Sequence, residues 1–269
     1  LADCRSGKYS EHPSNLGCQL AKRFADGASI PSFVVDPPLV DEFDECSRYS
    51  GFEPIRRISA FHALNEKIVA RYIAQKLERP LEELNLITVH LGSGISVTAH
   101  RKGRCVDNTF GSGGDGPFSP ERSGSLPTGQ LVKLCCSGKY TETELNRMLS
   151  GRGGLVAYTG SNDMRYLLAE AEHDKKIAGV VEAFHYQIAK EVGAMAVVMK
   201  GKVDQIILTG GIAYGKETVN AISAMVDWIA PITVYPGEDE LLALAQGALR
   251  VLRGEEKAQE YRRPRPTEA

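Results

Sequence analysis

Residues 84–100 (LNLITVHLGSGISVTAH) constrain the fold more than any other stretch of the chain. Two β-branched apolar runs flank Gly92-Ser93-Gly94, and this spacing predicts a hairpin with glycine where the turn needs positive φ. Residues 103–108 read as a third strand. Downstream, Ile177, Val180, Val181, Phe184, Ile188, Val192 and Met195 mark one buried face of a long helix that ends near Gly201. A strand at 205–208 then runs into Thr209-Gly210-Gly211, followed by a helix at 217–228, a strand at 232–235 and a helix at 238–252. A three-stranded meander followed by helix and strand in alternation is an α/β layer pattern, not a helical bundle.

Upstream, residues 30–35 (IPSFVV) read as a short strand ending at Asp36 and two prolines. Phe61, Leu64, Ile68, Tyr72 and Leu77 predict a helix over 59–77, closed by Pro80. Pro80 and Glu82-Glu83 suggest a division into residues 1–83 and 84–254, with a charged, frayed tail at 255–269. Residues 111–127 hold five Gly, three Pro and four Ser. So long a connection without regular structure is usually functional or disordered.

A chain of 269 residues is long enough to bury a full core. Its net charge of −2, from 32 basic and 34 acidic residues, gives no footprint for nucleic acid or an anionic membrane. No window approaches the ~20 apolar residues of a spanning helix. The six cysteines form no CxxC pair, which points to reduced thiols and a cytoplasmic setting.

Several motifs admit both a chemical and a plain structural reading. Residues 209–217 (TGGIAYGKE) resemble a P-loop, but Glu217 stands where a magnesium-binding Ser or Thr belongs, so a standard P-loop is rejected. The strand–glycine–helix order still suits an anion at a helix start, and a simple β-to-α turn fits equally well. The turn at 90–96 (HLGSGIS) lets a phosphate approach bare backbone with His90 at its edge; a tight hairpin with a satisfied histidine explains it too. Arg122 sits within Pro120-Glu121-Arg122-Ser123-Gly124, where a mobile guanidinium suits a planar oxyanion or a phosphoryl group. Glu238-Asp239-Glu240, after Pro236-Gly237, reads as a run of helix-start acids or as a magnesium site. Asp36, at the end of an apolar run, lies where open α/β sheets bind ligands. His62 beside an apolar face is more often structural than catalytic.

Taken together, the motifs resemble those of the butyrate kinases, in the acetate kinase branch of the sugar kinase, actin and heat-shock chaperone superfamily. The resemblance is carried by HPSNLG at 12–17, FHALN at 61–65, HLGSGIS at 90–96, GPFSPERSG at 116–124, GGLVAYTGSND at 153–163, TGGIAY at 209–214 and YPGEDE at 235–240. It implies a two-lobed, actin-like (ribonuclease H-like) α/β ATPase fold and reversible transfer of the ATP γ-phosphoryl group to a short-chain carboxylate, giving an acyl phosphate. ATP or ADP and Mg2+ are the implied cofactors, and a homo-oligomer the implied assembly.

Residue by residue, the resemblance makes Arg122 the stabiliser of the transferring phosphoryl group and places His62, His90 and Asp36 at the reaction centre. Gly92 and Gly94 would line the phosphates. Gly210, Gly211 and Ile212 would form the adenosine turn, and Asp163 and Arg165 would flank adenine and ribose. His12 and Phe61 would shape the acid pocket, and Asp239 or Glu240 would serve the metal. The chain opens at Leu1 without the first phosphate loop or a second active-site arginine, so it reads as a member lacking about its first quarter, with an incomplete first lobe and uncertain activity. A kinase for acetate, propionate or a branched acid, and a non-catalytic nucleotide-binding or oligomerisation module, stand as alternatives.

Overall fold

The computed structural model describes residues 14–109 and 114–260. In chain order the helices and strands are α1 (Ser14–Ala28), β1 (Tyr49–Phe52), β2 (Ile55–Arg56), α2 (Ala63–Lys76), β3 (Asn85–Leu91), β4 (Ile95–Arg101) and β5 (Arg104–Asn108). There follow α3 (Thr128–Cys135), α4 (Glu142–Leu149), α5 (Gly154–Thr159), α6 (Met164–Ala171), α7 (Lys175–Val198), β6 (Gln205–Gly210), α8 (Lys216–Val226), β7 (Ile232–Pro236) and α9 (Glu240–Leu252). Among the described residues no helix is long and apolar enough to cross a membrane.

The chain divides into two compact units, residues 1–37 with 239–269 and residues 38–238. This division does not fall at the boundary expected at 83/84, because α2 packs on β3 and β6 within the larger unit. The described part of the smaller unit holds α1 and α9. There the Val35 side chain lies 2.3 Å from where a Cβ on Gly247 would be, so that helix position accepts little beyond glycine. Residues 30–35 form no strand, contrary to the β-branched pattern; β propensity without a pairing partner does not make a strand.

The larger unit is built on a five-stranded sheet in the order β5-β4-β3-β6-β7. The hairpin is present, with β3 and β4 paired antiparallel from Asn85↔Arg101 to Leu91↔Ile95, and β5 extends the meander. Neither Gly92 nor Gly94 has the positive φ expected of the turn, and both are instead approached closely by side chains where a Cβ would be. β6 runs parallel to β3 and β7 parallel to β6. β3 is buried on both faces, and its residues alternate in character. Ile87, Val89 and Leu91 join Ile95, Val97, Ile206, Leu208 and the α7 residues Phe184, Ile188 and Val192 in the main core. Burying each such side chain contributes roughly 1.5–3 kcal/mol. Thr88 and His90 therefore point to the other face, which α2 covers.

The long helix begins two residues before its predicted start and ends at Val198, held at its N-terminus by Asp174, whose carboxylate accepts from the backbone of Lys176 and Ile177. The helix expected over 59–77 is shorter, Ala63–Lys76. Among the described residues Cys46, Cys105, Cys135 and Cys136 are free thiols. The burial of Cys105 pushes its thiol well above the usual range.

Candidate active site

The site forms where the polar face of β3 and β4 meets the first turn of α2, all within the larger unit. Register sets half of it: His90 lies opposite Ser96, and Thr88 opposite Thr98. Helix periodicity sets the other half, since His62 caps α2 and Asn65 and Glu66 follow one turn later on the buried face.

The imidazoles of His62 and His90 stack, with ring centroids 3.7 Å apart and planes 10° from parallel. His90 Nδ1 is 2.9 Å from Asn65 Oδ1. Asn65 Nδ2 donates to the Gly237 carbonyl, which fixes the amide so that His90 Nδ1–H is the donor. His90 Nε2 faces Glu238 Oε1 at 3.1 Å, and the bond from His90 holds the Glu238 carboxyl below its usual range. His62 Nδ1 is 2.7 Å from Ser96 Oγ. Burial, then the neighbouring His90 and Arg122, pull the His62 pKa down to about 3, so the ring is neutral near pH 7.

Arg122 arrives from the described part of the glycine- and proline-rich segment, where hydrogen bonds hold the backbone around it. Ser119 Oγ donates to the Ser93 carbonyl in the β3–β4 turn and accepts from the Arg122 N–H. The Ser119 N–H donates to the Arg122 carbonyl, and Phe118 beside it is buried. A Cβ on Gly94 would lie 2.3 Å from Arg122 Nη1 and 3.3 Å from His62 Cε1. The guanidinium therefore occupies the space that glycine leaves over the turn. No carboxylate lies within ion-pair distance of it among the described residues.

The remaining expected residues are placed as follows. Gly92 lies in the same turn, with His90 Nε2 2.8 Å from its Cβ position. Phe61 packs with Phe43, Ala63 and Cys105 in a small buried cluster. Gly210 has φ +87 and its Cβ position lies 2.5 Å from the Leu91 carbonyl oxygen, so strand-end packing by itself demands glycine there. Gly211 opens a short 3-10 turn and has open space at its Cβ position, while Ile212 packs on the main core.

Asp163 caps α6 and pairs with the exposed Arg165, and those bonds hold its carboxyl low. Asp36 has φ +39 and belongs with Asp239 and Glu240 to the smaller unit. Asp239 precedes α9 without making the side-chain cap that the capping reading expects. No group of three or more His, Cys, Asp or Glu is arranged to hold a metal among the described residues. His12 lies outside the described residues.

The reading of the sequence missed Asn65, Glu66 and Ser96, and took Glu238 for a helix-start or magnesium-site acid instead of a partner of His90. The signal was present: a lone acid one turn after His62 in a buried helix, and hydroxyls alternating with apolar residues along β3 and β4.

Sheet order and paired glycine turns, with a guanidinium over the first of them that has no ion-pair partner among the described residues, place the larger unit in the α/β, actin-like ATPase fold class. Solved structures share the fold. The acetate kinase of Porphyromonas gingivalis superposes with a TM-score of 0.71 at 21% identity, over 78% of this chain and 61% of that one. A propionate kinase from Francisella tularensis gives 0.68 at 23% identity, over 87% and 67%. The chain belongs to the acetokinase family of carboxyl-group phosphotransferases, whose sequence model matches residues 47–234. It is 51% identical to a probable butyrate kinase of Clostridium botulinum (strain Alaska E43) over 97% of its own length and 74% of that protein. Its identity to butyrate kinase 1 of Clostridium acetobutylicum is also 51%, with the same coverage.

Proposed function

We propose that this chain transfers the γ-phosphoryl group of ATP, reversibly, to the carboxylate of a short-chain fatty acid, with butyrate as the preferred acid. The observation that carries the reading is the Arg122 guanidinium, held over Gly94 beside the His62–His90 stack with no carboxylate ion-paired to it among the described residues. Such a cation is available to an anion, and phosphoryl transfer depends on positioning and charge neutralisation more than on covalent chemistry. The 51% identity to butyrate kinases over nearly the whole chain supports butyrate over other acids.

In this reading Arg122 binds the equatorial oxygens of the transferring group. Gly92 and Gly94 keep the turn bare for the phosphates, His90 is held by Asn65 and Glu238, and Phe61 backs the site from its buried cluster. Gly211, with open space at its Cβ position, fits a nucleotide lying on the 3-10 turn. Asp239 and Glu240, in the smaller unit, are hard oxygen donors of the kind Mg2+ takes. The metal's contribution when bound is neutralisation of phosphate charge.

The test is acyl phosphate formation by the purified chain with magnesium ATP and butyrate or acetate, trapped as the hydroxamate. Turnover that is lost in Arg122→Ala supports the reading. Absence of turnover with either acid, in a folded chain that binds ADP, refutes it in favour of a binding module.

A further inference from the structure

We propose that Glu66 is a positioning residue that sets the hydrogen-bond polarity of His62: through the Ser96 hydroxyl it holds the ring proton on Nδ1 and leaves Nε2 as an acceptor. The consequence for turnover rests on the function proposed above; the placement of the proton does not.

Glu66 is completely buried, 0% exposed, on the first turns of α2. Its two oxygens each accept one hydroxyl: Oε1 from Ser96 and Oε2 from Thr88. A hydroxyl carries a single proton. With both protons committed to the carboxylate, Ser96 Oγ and Thr88 Oγ1 have only lone pairs to offer their second neighbours. The 2.7 Å contact between Ser96 Oγ and His62 Nδ1 is then an Nδ1–H donor bond. The 2.9 Å contact between Thr88 Oγ1 and His100 Nε2 is an Nε2–H donor bond. The backbone N–H of His62 also donates to Ser96 Oγ, at 3.4 Å, as a hydroxyl with a committed proton allows.

The scheme requires an ionised Glu66 and a neutral His62. Burial pushes the Glu66 carboxyl up, but His100, Ser96 and Thr88 together draw it below the usual range. The charged and titratable groups that face His62 are Glu66, His90, Arg122 and Glu238, and with burial their sum keeps the ring uncharged. A neutral ring protonated at Nδ1 has a bare Nε2, which receives a hydrogen bond and gives none. His62 therefore serves an N–H donor such as the Arg122 guanidinium, set across Gly94 from its Cε1 edge, instead of a phosphoryl oxygen. Asn65, the preceding residue on the same helix, accepts from His90 Nδ1–H, while His90 Nε2 faces Glu238. One helical turn thus orders both stacked imidazoles.

The experiment is long-range 1H–15N correlation spectroscopy on the full chain labelled with [15N]histidine, near neutral pH, with signals assigned by single His→Gln substitutions. The expected result is His62 protonated on Nδ1 and bare at Nε2, with His100 the reverse. In Glu66→Gln the amide keeps one acceptor and gains one donor, so one hydroxyl must turn round and one of the two rings changes tautomer. In Ser96→Ala, His62 loses its fixed tautomer while His100 keeps its own; this variant decides the matter if Glu66→Gln does not fold. Nε2–H on His62 in the parent chain, unchanged tautomers of both rings in a folded Glu66→Gln, or an unchanged His62 in Ser96→Ala overturns the proposal. A chain with the expected tautomers and no acyl phosphate formation refutes the functional reading alone, whereas turnover with Nε2–H on His62 refutes this proposal alone.

Discussion

Gly94→Ala isolates the part of the site on which the functional reading depends. The added Cβ would lie 2.3 Å from Arg122 Nη1, 3.2 Å from Cζ and 3.3 Å from His62 Cε1. Carbon in ordinary contact sits near 3.5 Å, so the guanidinium has to retreat by about 1 Å. All three nearest atoms belong to side chains, and Arg122 meets the new methyl with its flexible end. The backbone at Gly94 is outside the left-handed region, so alanine brings no conformational strain, and a stiffer unfolded chain stabilises by about 0.4–1 kcal/mol. A displacement of about 1 Å at the reacting group costs on the order of 100-fold in rate, equivalent to about 2.7 kcal/mol on the barrier. Initial rates of hydroxamate-trapped acyl phosphate, measured beside a thermal melt, should therefore show a loss near 100-fold with Tm unchanged or slightly raised. Parental turnover in the folded variant would refute the claim that the guanidinium must sit over this turn. A large drop in Tm would refute the claim that only a flexible side-chain end is in the way.

Gly154→Ala should behave in the opposite manner. Its φ is +60 and its Cβ would lie 1.8 Å from the Ser119 carbonyl oxygen, so a stability loss of about 3 kcal/mol, read as a Tm several degrees lower, should accompany any loss of rate. His62 imposes a pH dependence of known sign: its pKa of about 3 in the folded chain is below the ~6.5 of the unfolded state, so the unfolded chain binds the extra proton between those values. Stability should fall as pH drops from about 6.5 towards 3, by up to about 1.4 kcal/mol per unit, and a denaturant series on His62→Gln should show a flatter profile over that range.

The fold was largely legible because its signals are local. The β runs around Gly92-Ser93-Gly94 gave the hairpin, and the buried stripe from Ile177 to Met195 gave α7. Residues 30–35 were misread because a β-branched hexapeptide carries no information about a pairing partner. The segment around Arg122 was misjudged for a related reason. Its glycines and prolines predict irregular backbone, and irregular backbone was equated with mobility. What pins it is tertiary: Ser119 reaches the Ser93 carbonyl, and Gly154 has the Ser119 carbonyl where a side chain would otherwise be. Glu238, Asp239 and Glu240 all read as helix-start acids and the resemblance gave the metal to Asp239 or Glu240, yet the acid that touches His90 is Glu238. No sequence pattern distinguishes three consecutive acids, because a shift of one residue at a strand exit changes the direction in which a side chain leaves.

If the proposed function holds, the arrangement of charge accounts for an anion site that tolerates two carboxylates. A carboxylate 4 Å from a phosphoryl oxygen, each with unit charge, would be repelled by about 4 kcal/mol at the effective dielectric of a protein surface. Here the two ends of the turn differ: Arg122 lies over Gly94, while Glu238 Oε1 comes within 3.3 Å of the Cβ position of Gly92. Glu66 reaches His62 only through the Ser96 hydroxyl, and Glu238 sits against His90 Nε2. Each acid spends its charge on an imidazole, and the two imidazoles stack on one another. The guanidinium beside them has no ion-pair partner among the described residues and keeps its full positive charge for a ligand. The order acid, imidazole, guanidinium therefore lets carboxylates orient the rings without cancelling the cation. That division follows from the alternation of Thr88 and His90 with Ile87, Val89 and Leu91 along a single buried strand.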